Sequence, residues 1–113
     1  MSTDAFADRE KGFEAKFKLD QEQAFRAQAR RNRLFGLWAA GLLGKVGDEA
    51  EAYARTVVAA DLQKPGHDDV IEKVQRDLEE GGKSVPAGEL RAEYDRALAK
   101  ARQQVAEEMA TKG

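Results

Sequence analysis

The sequence predicts an all-α protein, a four-helix bundle with unequal helices and a mobile N-terminal segment. Apolar residues recur with the 3.6-residue period of amphipathic helices, and no stretch shows the two-residue alternation typical of strands. Both prolines and many of the glycines fall where that period is interrupted. The chain has 113 residues, 35% of them charged and 42% hydrophobic, which suits one small domain with a thin core.

The first helix of the bundle is predicted at residues 20–43. Asp20 can cap its N-terminus, and Gly44 can adopt the left-handed conformation that commonly ends a helix. The predicted apolar stripe and its two flanking residues are Ala24, Leu34, Phe35, Trp38 and Leu42, with Ala27 and Leu37 beside them.

Three further helices are predicted at about residues 48–62, 68–79 and 86–110, so that the bundle occupies residues 20–113. Proline and glycine pairs separate them, and short connections of this kind join neighbouring antiparallel helices. The apolar stripe of the helix at 48–62 is Ala50, Tyr53, Ala54, Val57, Val58 and Leu62. That of the helix at 68–79 is Val70, Ile71, Val74 and Leu78, and that of the helix at 86–110 is Leu90, Tyr94, Ala97, Leu98, Ala101, Val105 and Met109.

The first nineteen residues differ from the rest in carrying little apolar surface. Phe6, Phe13 and Phe17 lie on one helical face among eight charged residues, and Gly12 weakens a helix there by about 1 kcal/mol. One interpretation is a mobile segment that becomes helical on meeting a partner. The other is a first helix that begins near Asp4, with the phenylalanines packed on the bundle. The sequence leaves both open.

Catalytic chemistry finds little support in the sequence. The chain has no cysteine, and Gly44-Lys45 is not part of a phosphate-binding loop because Ala39 and Val46 occupy positions that require glycine and a hydroxyl residue. The single histidine, His67, stands beside Asp68-Asp69 without a second histidine, so helix capping explains it better than a metal site. We therefore predict a protein that is not an enzyme and holds no metal.

The charge and hydropathy of the chain argue against two classes of partner, nucleic acids and the membrane interior. The net charge is −2, with +3 in residues 20–47 and −5 in residues 48–83, whereas nucleic-acid-binding domains are usually basic overall. The longest apolar run, residues 34–44, is far shorter than the roughly 20 residues that cross a bilayer. No signal peptide is recognisable. We expect a soluble cytoplasmic protein that binds neither nucleic acid nor the membrane interior.

Four arginines lie close together in the first predicted helix. Arg26, Arg30 and Arg33 share a face, whereas Arg31 points elsewhere. Guanidinium groups suit carboxylates and phosphates, so a nucleotide or another anion could contact this face. The favoured interpretation is pairing with the acidic second and third helices, because exposed arginines need no ligand.

The run RRNRLFGLWAAGLLG, residues 30–44, resembles the central motif of the alphaproteobacterial F1F0-ATP synthase inhibitor, the zeta subunit family. The stretches DRE at residues 8–10 and FEAKF at residues 13–17 resemble that family's N-terminal segment. YA at 53–54, TVV at 56–58, Asp61 and the Pro-Gly turn resemble its second helix and the following turn. The resemblance covers nearly the whole chain.

The resemblance implies a bundle that presents an inhibitory segment, here residues 1–19. In this family that segment enters the catalytic α/β interface of F1-ATPase near the γ subunit and blocks ATP hydrolysis. The phenylalanines would then be apolar anchors, and the charged residues would set the register. The partner-binding residues expected on this basis are Phe6, Arg9, Glu10, Lys11, Phe13, Glu14, Lys16 and Phe17.

The partners expected are the α, β and γ subunits of F1-ATPase, which would hold the protein peripherally at the inner membrane. We expect a monomer in the free state and no cofactor. The alternative is a small nucleotide-sensing helical domain with weak ADP or ATP binding at Arg26, Arg30 and Arg33. A further alternative is a helical adaptor for another acidic partner, whose binding would weaken steeply with salt.

Overall fold

The predicted all-α, four-helix fold is confirmed. A computed structural model describes the backbone of residues 2–63 and 67–112, and the side chains of residues 20–63 and 69–111. The helices are α1 (Ser2–Leu42), α2 (Asp48–Gln63), α3 (His67–Glu80) and α4 (Ala87–Lys112). No strand occurs within those backbone ranges. Helices α2, α3 and α4 lie within two residues of their predicted bounds.

Helix α1 is longer than predicted. It runs for 41 residues, a length of about 60 Å at 1.5 Å per residue. Asp20 therefore lies inside the helix and does not cap it, and α1 begins near the start that the second interpretation placed at Asp4. The side chains of residues 1–19, and with them the predicted mobility and phenylalanine packing of that segment, lie outside the described residues.

The end of α1 is set by a glycine, as the sequence predicts. Gly44 has a φ of 76°, which costs glycine little because it has no Cβ. The Lys45 amide donates to the Ala40 carbonyl at 2.9 Å, and the Gly44 amide donates to the Gly41 carbonyl at 3.1 Å. This pair of hydrogen bonds is a Schellman motif. It satisfies two terminal carbonyls and turns the chain back into α2.

Helix α1 packs against all three of the other helices. It contacts α2 and α4 extensively and α3 at fewer points. The core contains aromatic contacts of Phe35, which stacks on Trp38 with ring centroids 5.7 Å apart and forms a T-shaped pair with Tyr94 at a centroid distance of 5.6 Å. Fully buried apolar residues from all four helices surround them, including Ala39, Val57, Val70, Val74, Leu78 and Leu90.

The predicted stripes are correct at the helix centres and wrong at some ends. Ala24 is exposed, Leu42 is 37% exposed and Leu62 is 68% exposed. Leu42 and Leu62 occupy the last turns of α1 and α2, so the apolar period continues past the packed core. In contrast, Ala27, predicted only as a flanking residue, is 3% exposed and packs against Ala101 and Val105 of α4.

A polar contact supplements the packing of α3 on α2. The Tyr53 hydroxyl donates to Asp77 Oδ2 at 2.9 Å, and Lys73 Nζ donates to the same oxygen at 2.7 Å. The Lys73 ammonium also lies 5.4 Å from the centre of the Tyr53 ring. Burial and the Asp77 carboxylate both raise the pKa of the Tyr53 phenol above its ordinary value. The short helix α3 is thereby fixed beside the apolar contacts of Val70, Val74 and Leu78.

Gly36 provides a direct test of the α1–α2 packing. A Cβ added there would lie 2.8 Å from Ala54 Cα and 3.2 Å from Val57 Cγ2, whereas one added at Gly41 meets nothing within 4 Å. We expect Gly36→Ala to lower the free energy of unfolding by about 1–3 kcal/mol, because backbone must move to admit the methyl group. The control Gly41→Ala should raise it by about 0.5–1 kcal/mol through helix propensity. Urea unfolding measures both, and equal effects of the two substitutions would contradict this packing.

Tyr53 gives the stability a dependence on alkaline pH. The unfolded chain releases its phenol protons near pH 10, about the ordinary tyrosine pKa, whereas the folded protein retains the Tyr53 proton. The stabilisation is present below pH 10 and is lost as the pH rises further. Urea unfolding between pH 8 and pH 11 should therefore show falling stability above pH 10, with a shallower fall in Tyr53→Phe. Parallel curves for both proteins would show that Tyr53 makes no such contribution.

Candidate functional site

The three arginines predicted to share a face all lie beside carboxylates of the chain. Arg26 Nη2 lies 2.8 Å from Glu22 Oε1 on α1, and Arg33 Nη2 lies 2.6 Å from Glu51 Oε1 on α2. Arg30 binds Glu108 of α4 with both terminal nitrogens, one of them at 3.0 Å from Oε2. The expected pairing with α2 is found for Arg33. The other two pair with α1 and α4 rather than with α3.

These ion pairs are partly exposed and hence individually weak. The exposed side-chain fractions are 44% for Arg26, 29% for Arg30 and 49% for Arg33. Pairs of this kind contribute about 0–1 kcal/mol each. Another anion can therefore replace the internal carboxylates at small cost, but an added phosphate must compete with them. Whether a nucleotide binds here stays a prediction.

Arg31, the arginine that the sequence left without a role, enters the core. Its side chain is 3% exposed, and Nη2 lies 3.8 Å from Asp61 Oδ2 on α2. Its Nε donates to Asn32 Oδ1 at 3.1 Å, and Asn32 Nδ2 donates to Asp61 Oδ2 at 2.9 Å. The guanidinium carbon lies 4.4 Å from the centre of the Tyr94 ring on α4. This Arg31 cluster therefore joins α1, α2 and α4.

Burial sets the electrostatics of the Arg31 cluster. Loss of hydration lowers the pKa of Arg31 below its ordinary value, while the facing Tyr94 and Asp61 oppose that shift. Burial likewise raises the pKa of Tyr94. A buried cation without a counter-ion is strongly destabilising, so the carboxylate of Asp61 and the face of the Tyr94 ring are both needed. The cluster fixes how three helices cross rather than offering a free catalytic group.

A helical-phase signal in the sequence could have placed Arg31 on the buried face of α1, although it does not identify the partners of Arg31. Arg31 lies four residues after Ala27 and four before Phe35, which places it on the buried face of α1. Asn32 occupies the adjoining face, toward α2. The prediction that Arg31 points away from the other three arginines is correct, and only its destination was missed.

Replacing Asp61 tests the cluster. Asp61→Ala leaves the buried guanidinium without its carboxylate, and we expect a loss of about 2–3 kcal/mol in the free energy of unfolding, below the range for fully buried pairs. The matched control Glu51→Ala removes an exposed partner and should cost less than about 1 kcal/mol. Asp61→Asn retains an oxygen acceptor for Asn32 and should fall between them. Equal losses for the two alanine variants would contradict a special role for the cluster.

The expected partner-binding residues, Phe6 to Phe17, belong to α1 through their backbone, and their side chains lie outside the described residues. The bundle around α1 can be followed toward them as far as Asp20. There, Asp20 and Ala24 line a small groove together with Arg102 and Ala106 of α4. The division between residues 1–19 and a bundle of residues 20–113 stays a prediction.

The described residues show neither a metal-ion site nor a transmembrane helix. Within residues 20–63 and 69–111, no three His, Cys, Asp or Glu side chains lie close enough together to hold a metal ion. The predicted cap residues His67 and Asp68 have side chains outside that set. Over the residues that the structure describes, none of the helices is both long and apolar enough for a transmembrane span.

Comparison with known proteins identifies the family. The sequence model of ATPase inhibitor subunit zeta matches residues 1–104. Three chains of solved structures match. One of them, described as a solution NMR structure, is 50% identical with a TM-score of 0.65, over 74% of this chain and 95% of its own. No curated protein matches. The match to the family model covers most of the sequence, and this chain belongs to the ATPase inhibitor subunit zeta family.

Proposed function

We propose that this protein inhibits ATP hydrolysis by inserting residues 1–19 into the catalytic α/β interface of F1-ATPase, near γ. The observation that carries the proposal is the continuity of α1, which runs from Ser2 through the core of the bundle to Leu42. The family is one of ATPase inhibitors, a regulatory rather than catalytic role. A helix anchored at one end and free to enter a partner at the other suits that role.

The anchoring of α1 supports this mechanism physically. From Ala27 to Ala40 the helix is held by buried apolar contacts and by the Arg31 cluster. The first turn of an isolated helix is unfavourable, and Gly12 weakens helix formation in this segment, so the rest of α1 provides residues 1–19 with a helix to extend. Extending an existing helix avoids the unfavourable first turn. The bundle thus lowers the ordering cost of the segment, which for coupled folding and binding is about 2–5 kcal/mol.

The proposed inhibition acts through the conformations of the ATPase. A segment that fits the α/β interface in one rotational state stabilises that state relative to the others. The motor then stalls, although the inhibitor touches no reacting atom. Phe6, Phe13 and Phe17 would be the apolar anchors, and Arg9, Glu10, Lys11, Glu14 and Lys16 would set the register.

We further propose which subunits the inhibitor binds, its oligomeric state when free and its location in the cell. The partners are the α, β and γ subunits, and the inhibitor is a free monomer before it binds. It would then lie at the inner membrane on the cytoplasmic side, held there only through F1.

The nucleotide-sensing alternative at Arg26, Arg30 and Arg33 predicts ADP- or ATP-dependent NMR shifts at those residues and no effect of removing residues 1–19.

Removing the segment tests the proposal. We expect full-length protein to inhibit ATP hydrolysis by F1-ATPase, and a variant lacking residues 1–19 to need about tenfold or more higher concentration for half-inhibition, a loss of about 1.4 kcal/mol or more in binding. Circular dichroism and thermal unfolding must first show that the shortened bundle is folded. A matched variant is Phe13→Ala with Phe17→Ala in the full-length chain, which removes two of the three proposed anchors without shortening α1 and should also weaken inhibition. Full inhibition by the shortened protein would contradict the proposal.

A further inference from the structure

Phe25 of α1 is a large apolar side chain that lies mostly outside the core. Phe25 is 64% exposed. It lines an open groove of about 430 Å³ with Ala29 and with Val58 of α2. Most of the Phe25 ring contributes nothing to folding by burial, because it stays in water. Exposed aromatic rings beside a shallow groove are typical of protein interfaces.

The rim of this groove is basic. Arg26, Arg30 and Arg33 line it together with Glu108. We call Phe25, Ala29, Val58 and these three arginines the Phe25 patch. An aromatic centre surrounded by arginines matches the composition of energetically important interface residues. The internal carboxylates that pair with the arginines are half-exposed, at 54% for Glu22, 50% for Glu108 and 43% for Glu51.

We propose that the Phe25 patch is a second docking surface, through which the bundle binds the outer face of the ATPase beside the catalytic interface. This inference rests on the proposed function. The occupant is an acidic surface segment of an α or β subunit that covers Phe25 with an apolar side chain. Its carboxylates share or replace the weak internal partners of the three arginines, which gives the charge complementarity.

The position of the patch on α1 supports this occupant. Phe25 follows the last proposed anchor, Phe17, by eight residues, which is about 12 Å along the helix axis. When residues 1–19 enter the interface, the patch is therefore carried to its mouth. Two contacts joined by one helix act together, because the first raises the effective concentration of the second. The bundle would then slow dissociation of the segment as well as hold it.

The test measures binding of the full-length protein to immobilised F1-ATPase together with inhibition of hydrolysis. Phe25→Ala should raise the dissociation constant about tenfold, the effect of a typical interface aromatic, with its melting temperature unchanged within about 2 °C because the ring is mostly exposed. Arg26→Gln should slow association more at low salt than at high salt. The control Val46→Ala alters a residue that is 79% exposed in the α1–α2 turn, and it should bind as the wild type does.

Each outcome separates the two proposals. If Phe25→Ala binds and inhibits like the wild type, the Phe25 patch is not a docking surface, and the insertion of residues 1–19 is unaffected. If the wild type binds without inhibiting and Phe25→Ala weakens that binding, the patch stands and the proposed inhibition fails. If sedimentation shows a wild-type dimer that Phe25→Ala dissociates, a second copy is the occupant and this inference is overturned.

Discussion

The close packing of α1 against α2 and α4 is the constraint on which the rest of the structure depends. Gly36 admits the backbone of α2 at Ala54, because a side chain there would meet Ala54 Cα at 2.8 Å. The buried Arg31 then joins the same three helices through Asp61 and the Tyr94 ring. Small residues bring the helices together, and a polar cluster determines how they cross. A core of only a few large side chains is sufficient when the backbones approach this closely.

This packing anchors the long helix α1 from Ala27 to Ala40. A bundle of this size has a small hydrophobic core, and most of the packing in that core involves α1. The exposed ion pairs of Arg26, Arg30 and Arg33 add little stability by comparison. Their side chains are partly exposed, whereas the side chain of Arg31 is buried and paired inside the fold. Neighbouring arginines of one motif therefore differ in burial: Arg31 is buried and joins helices, whereas Arg33 forms an exposed ion pair.

The sequence was sufficient to predict the four helices, the Gly44 helix end and the apolar centres of the stripes, because these depend on local periodicity and backbone conformation. It left two starts of the first helix open, near Asp20 and near Asp4. Continuation of the helix through Gly12 and Asp20 depends on small propensities and on the tertiary anchoring of residues 27–40. The sequence did not predict the Arg31 cluster, since the cluster depends on which helices lie opposite Arg31. The residue pattern singled out Phe6, Phe13 and Phe17 on one helical face, whereas the inhibitory role of residues 1–19 came from the resemblance and stays a proposal.

The most direct measurement places a photoreactive amino acid at position 13 of the full-length inhibitor and identifies its crosslinks in the complex with F1-ATPase. A second protein carries the same group at Lys100, an exposed position on α4. The account predicts crosslinks from position 13 to the α or β subunit at the catalytic interface, and none there from position 100. Crosslinks to that interface from position 100 alone would contradict the account, because the bundle and not the end of α1 would then reach the catalytic site.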